Sequence, residues 1–307
     1  MTRATFLRTL MAAAAAMATR AGAARALTAQ DGTRMMTRSI PATGEALPVV
    51  GVGTWRGFDV GQNAESRARL TQVLSELFAA GGRVIDSSPM YGTSEEVTGD
   101  LLAAMGAGSQ AFVATKVWTS GRDAGVAQME ASRRLLRDER IELMQIHNLM
   151  DWRTHLPTLR AWKKEGRLQY IGLTHYRRDA HGELGRVMAR EPLDFVQLNY
   201  SVDDRAAESR LLPLAQERGM AVLVNLPFGG GGLLRKVQTR PLPGWAAEIG
   251  CESWAQVLLK FVLAHPAVTC VIPGTGRPAH MRENARAGFG ELPDAALRRR
   301  MVDEITG

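Results

Sequence analysis

Three short apolar segments of the chain each end on a polar residue of a type that takes part in catalysis. Asp86 closes the segment GRVID, Lys116 closes VATK and His147 closes LMQIH. The steps between them are 30 and 31 residues, and each step has the length of one strand followed by one helix. Because the carboxyl ends of neighbouring parallel strands meet on one face, this spacing predicts that a carboxylate, an ammonium and an imidazole share one site.

A fourth residue, Tyr91, follows Asp86 by five positions and is expected on the loop beyond the strand. A tyrosine hydroxyl has an ordinary pKa of about 10, which is too high for ready proton release near neutrality. A nearby lysine ammonium favours the phenolate and lowers that pKa, while an aspartate keeps the lysine charged. We therefore predict that Tyr91 is a general acid supported by Lys116 and Asp86. His147 is expected to hydrogen-bond a substrate carbonyl group and to orient it.

Proton donation to a carbonyl oxygen requires delivery of a hydride to the carbonyl carbon. No protein side chain supplies a hydride, so this group of residues implies a nicotinamide cofactor. Taken alone, each residue also has a structural explanation: the aspartate as a helix cap or ion-pair partner, the histidine as a buried structural residue, the lysine as a solvated rim charge. Their shared position at successive strand ends favours the catalytic interpretation.

Short apolar runs alternate with amphipathic segments along the chain, which is the pattern of strands that are each followed by a helix. Eight strands are predicted at residues 49–53, 83–86, 111–115, 141–146, 170–172, 195–198, 221–224 and 268–272. Eight helices are predicted near residues 67–80, 94–105, 122–137, 154–166, 179–189, 205–218, 253–264 and 278–288. Eight such units that close on themselves form an α/β protein of the (β/α)8 TIM barrel class, here a single domain over residues 36–307. A short β-hairpin around a Thr43-Gly44 turn is predicted ahead of the barrel.

A doubly wound sheet is the competing α/β fold. A dinucleotide-binding sheet of that kind usually carries a GxGxxG loop between its first strand and its first helix. The first predicted strand here runs into GVGTWRG, in which the third glycine is one position late and no helix clearly opens. The sequence therefore favours the barrel.

The formal net charge of +7 and the pI of 9.9 raise the hypothesis of a nucleic-acid-binding protein. Four of the positive charges are arginines of the first 26 residues, a segment that contains no Asp or Glu. The other basic residues are scattered among acids, except for three arginines at positions 298–300, which we interpret as a solvated helix face. We expect no nucleic-acid partner. Cys251 and Cys270 have no metal-ligand spacing, so we expect no metal site and interpret both as small apolar core residues.

Residues 1–26 have a basic start, an Ala- and Met-rich stretch and Ala-x-Ala endings. This pattern predicts a secretory signal peptide rather than a membrane span, because the apolar run is about half of the length that a bilayer requires. The start RATFL resembles a twin-arginine signal in which one arginine is replaced by alanine. The signal implies a periplasmic or secreted protein with a linker at residues 27–35, and the alternative is a disordered tail on a cytoplasmic enzyme. We expect no membrane insertion of the mature chain.

The segment GRVIDSSPMYGTSE, which contains Asp86 and Tyr91, resembles the first signature of the aldo-keto reductase family. ATKVW resembles the family's lysine segment, and QIH resembles its histidine segment. GLTHY and QLNY resemble the segments that bind the cofactor carboxamide, and VIPGTGRP with a later EN resembles the segment that holds the adenosine phosphate end. The resemblance covers residues 36–290 and implies the barrel fold, the four catalytic roles and a nicotinamide cofactor.

By this resemblance the cofactor lies extended across the barrel mouth, with NADPH expected and NADH as the alternative. A run of glycines after Phe228 also suits a pyrophosphate, because its backbone N–H groups are unobstructed. The cofactor-binding residues expected on these grounds are Thr54, Trp55, Thr174, His175, Gln197, Phe228, Gly229, Thr275, Arg277, Glu283 and Asn284.

The chain departs from the family pattern at four places near the expected cofactor. The Ser-Asn pair, the stacking aromatic residue, the lysine and the later arginine of the family are replaced by Thr174-His175, Asn225, Gly274 and His280. Arg277 is therefore the remaining candidate for contact with a 2′-phosphate.

Two functions are open at this point. The first is a reductase that acts on a small-molecule aldehyde or ketone, and the second is a non-catalytic sensor or accessory subunit that binds the cofactor with the same barrel. The intact group of Asp86, Tyr91, Lys116 and His147 favours the enzyme. No feature of the sequence predicts an oligomer, so a monomer is expected.

Overall fold

A computed structural model describes residues 34–307 of the protein. The predicted signal peptide and most of the predicted linker lie outside the described residues. The strands of the described part are β1 Thr37–Ser39, β2 Ala46–Pro48, β3 Val52–Gly53, β4 Val84–Asp86, β5 Phe112–Val117, β6 Ile141–His147, β7 Leu168–His175, β8 Phe195–Asn199, β9 Ala221–Asn225 and β10 Cys270–Val271.

The helices lie between the strands and after the last of them. They are α1 Ala64–Ala79, α2 Ser94–Ala104, α3 Arg122–Leu136, α4 Trp152–Lys164, α5 His181–Arg190, α6 Leu211–Glu217, α7 Gly232–Val237, α8 Trp245–Glu248, α9 Trp254–Leu263, α10 Pro278–Arg286 and α11 Ala295–Thr306. None of the helices within residues 34–307 is both long enough and apolar enough to cross a bilayer.

Strands β3 to β10 form one parallel sheet in which each strand pairs with its neighbour in the sequence. Parallel bridges from Val50 to Val271 and from Gly53 to Gly274 join its two ends. The sheet therefore closes into a barrel, and at least one helix connects each strand to the next. This confirms the predicted (β/α)8 barrel and excludes the doubly wound sheet, whose edges stay open.

Side chains along the barrel strands alternate between two environments, as the strand period of two requires. One set packs against the helices. The other set fills the barrel, where the rings of Phe112, Tyr170 and Phe195 have their centroids 5.3 to 6.0 Å apart. Going two or four residues along a strand keeps the side chain inside, so Asp86, Lys116 and His147, at or next to the ends of β4, β5 and β6, point into the same interior.

The N-terminal hairpin closes the end of the barrel opposite the strand C-termini. Strands β1 and β2 pair antiparallel, and Ile40 and Leu47 belong to the core cluster of the barrel interior. Glu45 of the hairpin accepts hydrogen bonds from the Tyr170 hydroxyl and the Arg83 guanidinium, each at 2.6 Å. This confirms the predicted hairpin and leaves the opposite end of the barrel for a site.

Some segments differ from the sequence prediction. The helix predicted at 205–218 is divided into a 3₁₀ turn, Ala206–Ser209, and α6. Helices α7 and α8 were not predicted, because each has at most six residues and so shows too little of the helical period. Helix α11 was anticipated only as the helix face assigned to residues 298–300, without bounds.

The interpretation of residues 298–300 as a solvated face is wrong for Arg298. Its side chain is only 19% exposed, and its guanidinium donates to Glu208 Oε1 at 2.6 Å. The same group donates to the Tyr200 hydroxyl at 2.5 Å and lies 4.6 Å from the centroid of the Phe261 ring. Helix α11 packs against the barrel along this edge, so an arginine with a carboxylate partner is partly buried there.

Cys251 and Cys270 are both free and buried, as expected for small core residues. Burial raises the pKa of the Cys251 thiol to about 11 and raises that of Cys270 as well. Neither is a thiolate near neutrality. Within residues 34–307, no cluster of His, Cys, Asp and Glu side chains could hold a metal ion.

Candidate active site

The ends of β4, β5 and β6 bring Asp86, Lys116 and His147 together. Each lies on an inward-facing position, in the phase of the core residues Val84 and Phe112. All three side chains are buried, with relative exposures of 3%, 0% and 5%. The predicted convergence at one face is therefore present.

Lys116 and Asp86 form a buried ion pair. Lys116 Nζ donates to Asp86 Oδ2 at 2.7 Å and to the Ser87 carbonyl oxygen at 2.6 Å. Burial by itself opposes the charge of the ammonium, but Asp86 and the hydrogen-bonded Tyr91 outweigh it, so the pKa of Lys116 is raised. The lysine is therefore a permanent cation at the base of the site.

Tyr91 lies above this pair, on the loop between β4 and α2. Lys116 Nζ is 5.1 Å from the centroid of the Tyr91 ring. The ring meets the His147 ring edge to face, with centroids 5.9 Å apart and an interplanar angle of 88°. The fourth predicted residue is therefore adjacent to the other three.

The pKa of Tyr91 is raised, which corrects the sequence prediction of a lowered value. Burial of the hydroxyl is the largest cause; Lys116 lowers the pKa as predicted, and the Asp86 carboxylate raises it. Desolvation, which depends on the packing of the whole loop, therefore outweighs the cation. The hydroxyl keeps its proton throughout the neutral range, which suits a proton donor.

His147 is neutral at physiological pH. Burial is the main cause, followed by the charges of Lys116 and His175, and together they lower its pKa to about 3. Its Nδ1 lies 3.1 Å from Ser88 Oγ, which accepts the Met90 N–H at 3.4 Å. In the tautomer in which Nδ1 accepts the Ser88 proton, the ring proton is on Nε2 and can be donated to a ligand.

Acid is expected to destabilise the protein through His147. Its pKa is about 3 in the folded protein and about 6.5 in an unfolded chain, so below pH 6.5 the unfolded chain binds a proton that the folded protein does not. Stability is complete above about pH 6.5 and falls as the pH decreases toward 3, by about 2 kcal/mol at pH 5. Urea unfolding at pH 7 and pH 5 should show a loss smaller by about this amount in His147→Gln. An equal loss in both proteins would contradict the neutral histidine.

The loop that follows His147 adopts unusual backbone conformations. Asn148, Leu149 and Asp151 have φ values of 53°, 57° and 45°, in the left-handed region that L-residues disfavour. Asp151 Oδ2 accepts the Gly121 N–H at 2.8 Å and so ties the loop to the one after β5. Such strain is commonly found at functional sites. Nothing in the sequence of this loop indicates the left-handed backbone conformations.

A layer of amides surrounds the carboxylate of Asp86. Its Oδ1 accepts hydrogen bonds from Gln197 Nε2 at 2.8 Å and from Gln145 Nε2 at 3.2 Å. Gln197 Oε1 in turn accepts from Thr174 Oγ1 at 3.1 Å and from Asn225 Nδ2 at 3.2 Å. Gln145, Ser88 and Asn225 were not among the predicted site residues. The strand period of two could have identified Gln145 and Asn225, because both lie at inward-facing positions of their strands.

The residues that are predicted to bind the cofactor carboxamide lie on adjacent strands. Thr174 and Gln197 are paired across β7 and β8 and are both buried. His175 is half-buried and stacks on Tyr176, with centroids 5.9 Å apart. Burial is the main cause that lowers the pKa of His175.

Two further predicted residues follow β3. Thr54 is fully buried and donates to Ser87 Oγ at 2.9 Å. It therefore supports the loop between β4 and α2, which carries Tyr91. Trp55 is 47% exposed, and the Arg56 guanidinium lies 4.2 Å from its ring centroid.

The predicted residues of the phosphate end follow β9 and β10. Phe228 is half-buried, and the turn Gly229–Gly231 after it has φ values of 56°, 64° and 87°. Thr275 is buried, and its Oγ1 accepts the Arg277 N–H at 3.1 Å at the start of α10. The Arg277 side chain is exposed. Glu283 is half-buried and Asn284 is buried, both inside α10.

The chain matches known proteins over most of its length. It is 29% identical over 275 residues to methylglyoxal reductase YeaE of Escherichia coli, which covers 86% of this chain and 93% of the relative. An aldo/keto reductase structure from Klebsiella pneumoniae, in complex with NADP and acetate, superposes with a TM-score of 0.70 at 24% identity, over 85% of this chain and 92% of that one. The glycerol dehydrogenase AKR11B4 of Gluconobacter oxydans superposes with a TM-score of 0.72 at 22% identity, over 90% and 95%.

The family resemblance inferred from six short segments is confirmed by a match to a whole family description. Residues 49–301 match the model of the aldo/keto reductase family, and this span contains the entire barrel and all four residues of the candidate catalytic group. The prediction of an oxidoreductase is confirmed with it. The protein is a member of the aldo/keto reductase family.

Proposed function

We propose that the protein is an NADPH-dependent reductase of aldehydes or ketones in which Tyr91 is the proton donor. The observation that supports this most directly is the buried Lys116–Asp86 pair, 2.7 Å apart, beneath a protonated tyrosine. A neutral histidine lies at the side of the same tyrosine. A donor, a fixed cation and a hydrogen-bonding imidazole are what the reduction of a carbonyl group requires from a protein.

The substrate carbonyl oxygen is held by His147 Nε2–H and the Tyr91 hydroxyl. When bound, the nicotinamide supplies the hydride that adds to the carbonyl carbon. As negative charge develops on the oxygen, the Tyr91 proton moves to it and completes the alcohol. Lys116 stabilises the phenolate that remains at Tyr91, which then recovers its proton from solvent. The raised pKa of Tyr91 keeps its hydroxyl protonated between turnovers.

The residues at the barrel mouth fit a dinucleotide. The turn Gly229–Gly231 presents backbone without side chains at φ values that glycine tolerates, and this suits the close approach of a pyrophosphate. Arg277 is exposed at the N-terminus of α10, where a phosphate is favoured by the helix dipole. We propose that Arg277 contacts the 2′-phosphate, and the NADP in the Klebsiella structure supports NADPH as the preferred cofactor.

We propose a small, polar carbonyl compound as the substrate. A cavity of about 460 Å³ next to the catalytic group is lined by Asn148, His175, Tyr176 and Arg177, which offer polar and charged groups beside apolar surface. The Escherichia coli relative is a methylglyoxal reductase by name, which supports short aldehydes with a neighbouring carbonyl group. Such substrates can place a second oxygen among the polar groups of this cavity.

Turnover with purified protein tests the proposal. NADPH and then NADH are mixed with methylglyoxal and a panel of other aldehydes, and the absorbance of the reduced cofactor is followed. We expect oxidation of NADPH by small aldehydes. Tight NADPH binding without turnover of any carbonyl compound would instead support the sensor or accessory subunit, and absence of binding would contradict both functions.

A further inference from the structure

Asn225, at the end of β9, has an unsatisfied acceptor at the barrel mouth. Its Oδ1 is buried and has no hydrogen-bond partner within residues 34–307. Leaving a buried polar atom unpaired is costly, so such an atom in a site indicates a missing donor. The residue stands where the family has an aromatic side chain, so the family pattern assigns this amide no role.

The orientation of the Asn225 amide is determined by Asp86, two hydrogen bonds away. An ionised carboxylate only accepts, so the Gln197 group 2.8 Å from Asp86 Oδ1 must be the Nε2 donor. Gln197 Oε1 then faces Asn225 and must receive its Nδ2 at 3.2 Å. A flipped Asn225 would place two carbonyl oxygens against each other. Oδ1 is therefore the atom left over.

Thr174, like Asn225, donates its hydrogen bond to Gln197. Its hydroxyl donates to Gln197 Oε1 at 3.1 Å, which leaves Oγ1 with lone pairs and no proton to give. The chain of hydrogen bonds that begins at Asp86 therefore ends in two acceptors, on β7 and β9. Thr174 is also paired with His147 across β6 and β7, so these acceptors belong to the catalytic end of the barrel. A ligand group that fits here must donate hydrogen bonds.

We infer that Asn225 Oδ1 accepts a hydrogen bond from the carboxamide NH₂ of the nicotinamide. This inference rests on the proposed use of a nicotinamide cofactor. The carboxamide NH₂ has two protons, and the site offers two acceptors. Asn225 thus holds the carboxamide by a hydrogen bond. The Asp86 carboxylate, which anchors Lys116, also determines through Gln197 that Asn225 presents an acceptor to the cofactor.

The test compares NADP⁺ with its 3-acetylpyridine analogue, in which a methyl group replaces the NH₂. Dissociation constants are measured by calorimetry for the wild type, Asn225→Leu and Asn225→Ala, with circular dichroism as a check of folding. In the wild type we expect NADP⁺ to bind at least tenfold more tightly, because the analogue loses the hydrogen bond to Asn225, which by itself corresponds to about tenfold, and the one to Thr174. In both Asn225 variants the ratio should fall at least threefold.

Arg277→Gln is the matched control. It should weaken both ligands by the same factor and leave their ratio unchanged, because it acts at the phosphate end. If the ratio in the Asn225 variants equals that of the wild type, Oδ1 is satisfied by water or another group and the inference is overturned while the proposed function stands. If the wild type binds neither ligand, the proposed function fails and the inference fails with it.

Discussion

Replacing Tyr91 by phenylalanine is expected to lower kcat for carbonyl reduction by about 100- to 10,000-fold, the usual contribution of a positioned general acid. The substitution removes the hydroxyl that we propose as the proton donor and leaves the ring against His147 and Lys116. The dissociation constant of NADPH should change little. Stopped-flow turnover and equilibrium binding of NADPH measure the two quantities separately. In the wild type, the rate should not decline up to about pH 9, because the pKa of Tyr91 lies above its usual value of about 10.

Tyr170→Phe is the matched control for this variant. It removes the same atom from a tyrosine at the other end of the barrel, where the hydroxyl donates to Glu45 at 2.6 Å. Some stability should be lost, about 1.5–3 kcal/mol for a hydrogen bond to a charged group, but kcat should be retained. Undiminished turnover by Tyr91→Phe would eliminate Tyr91 as the donor. Equal losses in both variants would indicate a general structural effect.

Lys116→Met is expected to lower both stability and activity. The substitution leaves the Asp86 carboxylate, 3% exposed, without its cation at the base of the site. Breaking a buried ion pair by removing one partner typically costs about 3–5 kcal/mol. Activity should also be lost, because the phenolate form of Tyr91 no longer has a neighbouring positive charge. Denaturant unfolding and the kcat for aldehyde reduction are the measurements.

The double variant Asp86→Asn, Lys116→Met separates these two effects. An asparagine carries no charge but can still accept the hydrogen bonds of Gln145 and Gln197. The double variant should therefore unfold at a higher denaturant concentration than Lys116→Met while it remains inactive. If the double variant is no more stable than Lys116→Met, the loss does not arise from an unpaired charge. If it regains activity, the lysine has no part in the reaction.

The candidate catalytic group was predictable because its positions obey local rules. Asp86, Lys116 and His147 end three consecutive apolar segments at the spacing of one strand and one helix. The strand period of two directs these three side chains into the barrel, and the same period directs Gln145 inward. Tyr91 was selected by its distance from Asp86 and by the family signature. These relations need no knowledge of the packing.

The hydrogen-bond polarity at the cofactor end could not be predicted. Asn225 is 139 residues from Asp86 in the sequence, and only their common contact with Gln197 connects them. The sequence indicated merely that an aromatic residue is absent at this place. Which of the two amide atoms is left without a partner depends on that three-residue contact.

The sequence by itself therefore determined the barrel and the identity of the residues at its open end, because periodicity and spacing along one chain are enough to specify both. Only the tertiary structure decided the sign of the Tyr91 pKa shift, the burial of Arg298 and the free acceptor of Asn225. Each of these depends on desolvation or on hydrogen bonds supplied by segments that are distant in the sequence. Electrostatic properties of a side chain are sums over such neighbours, and the neighbours exist only once the barrel has closed.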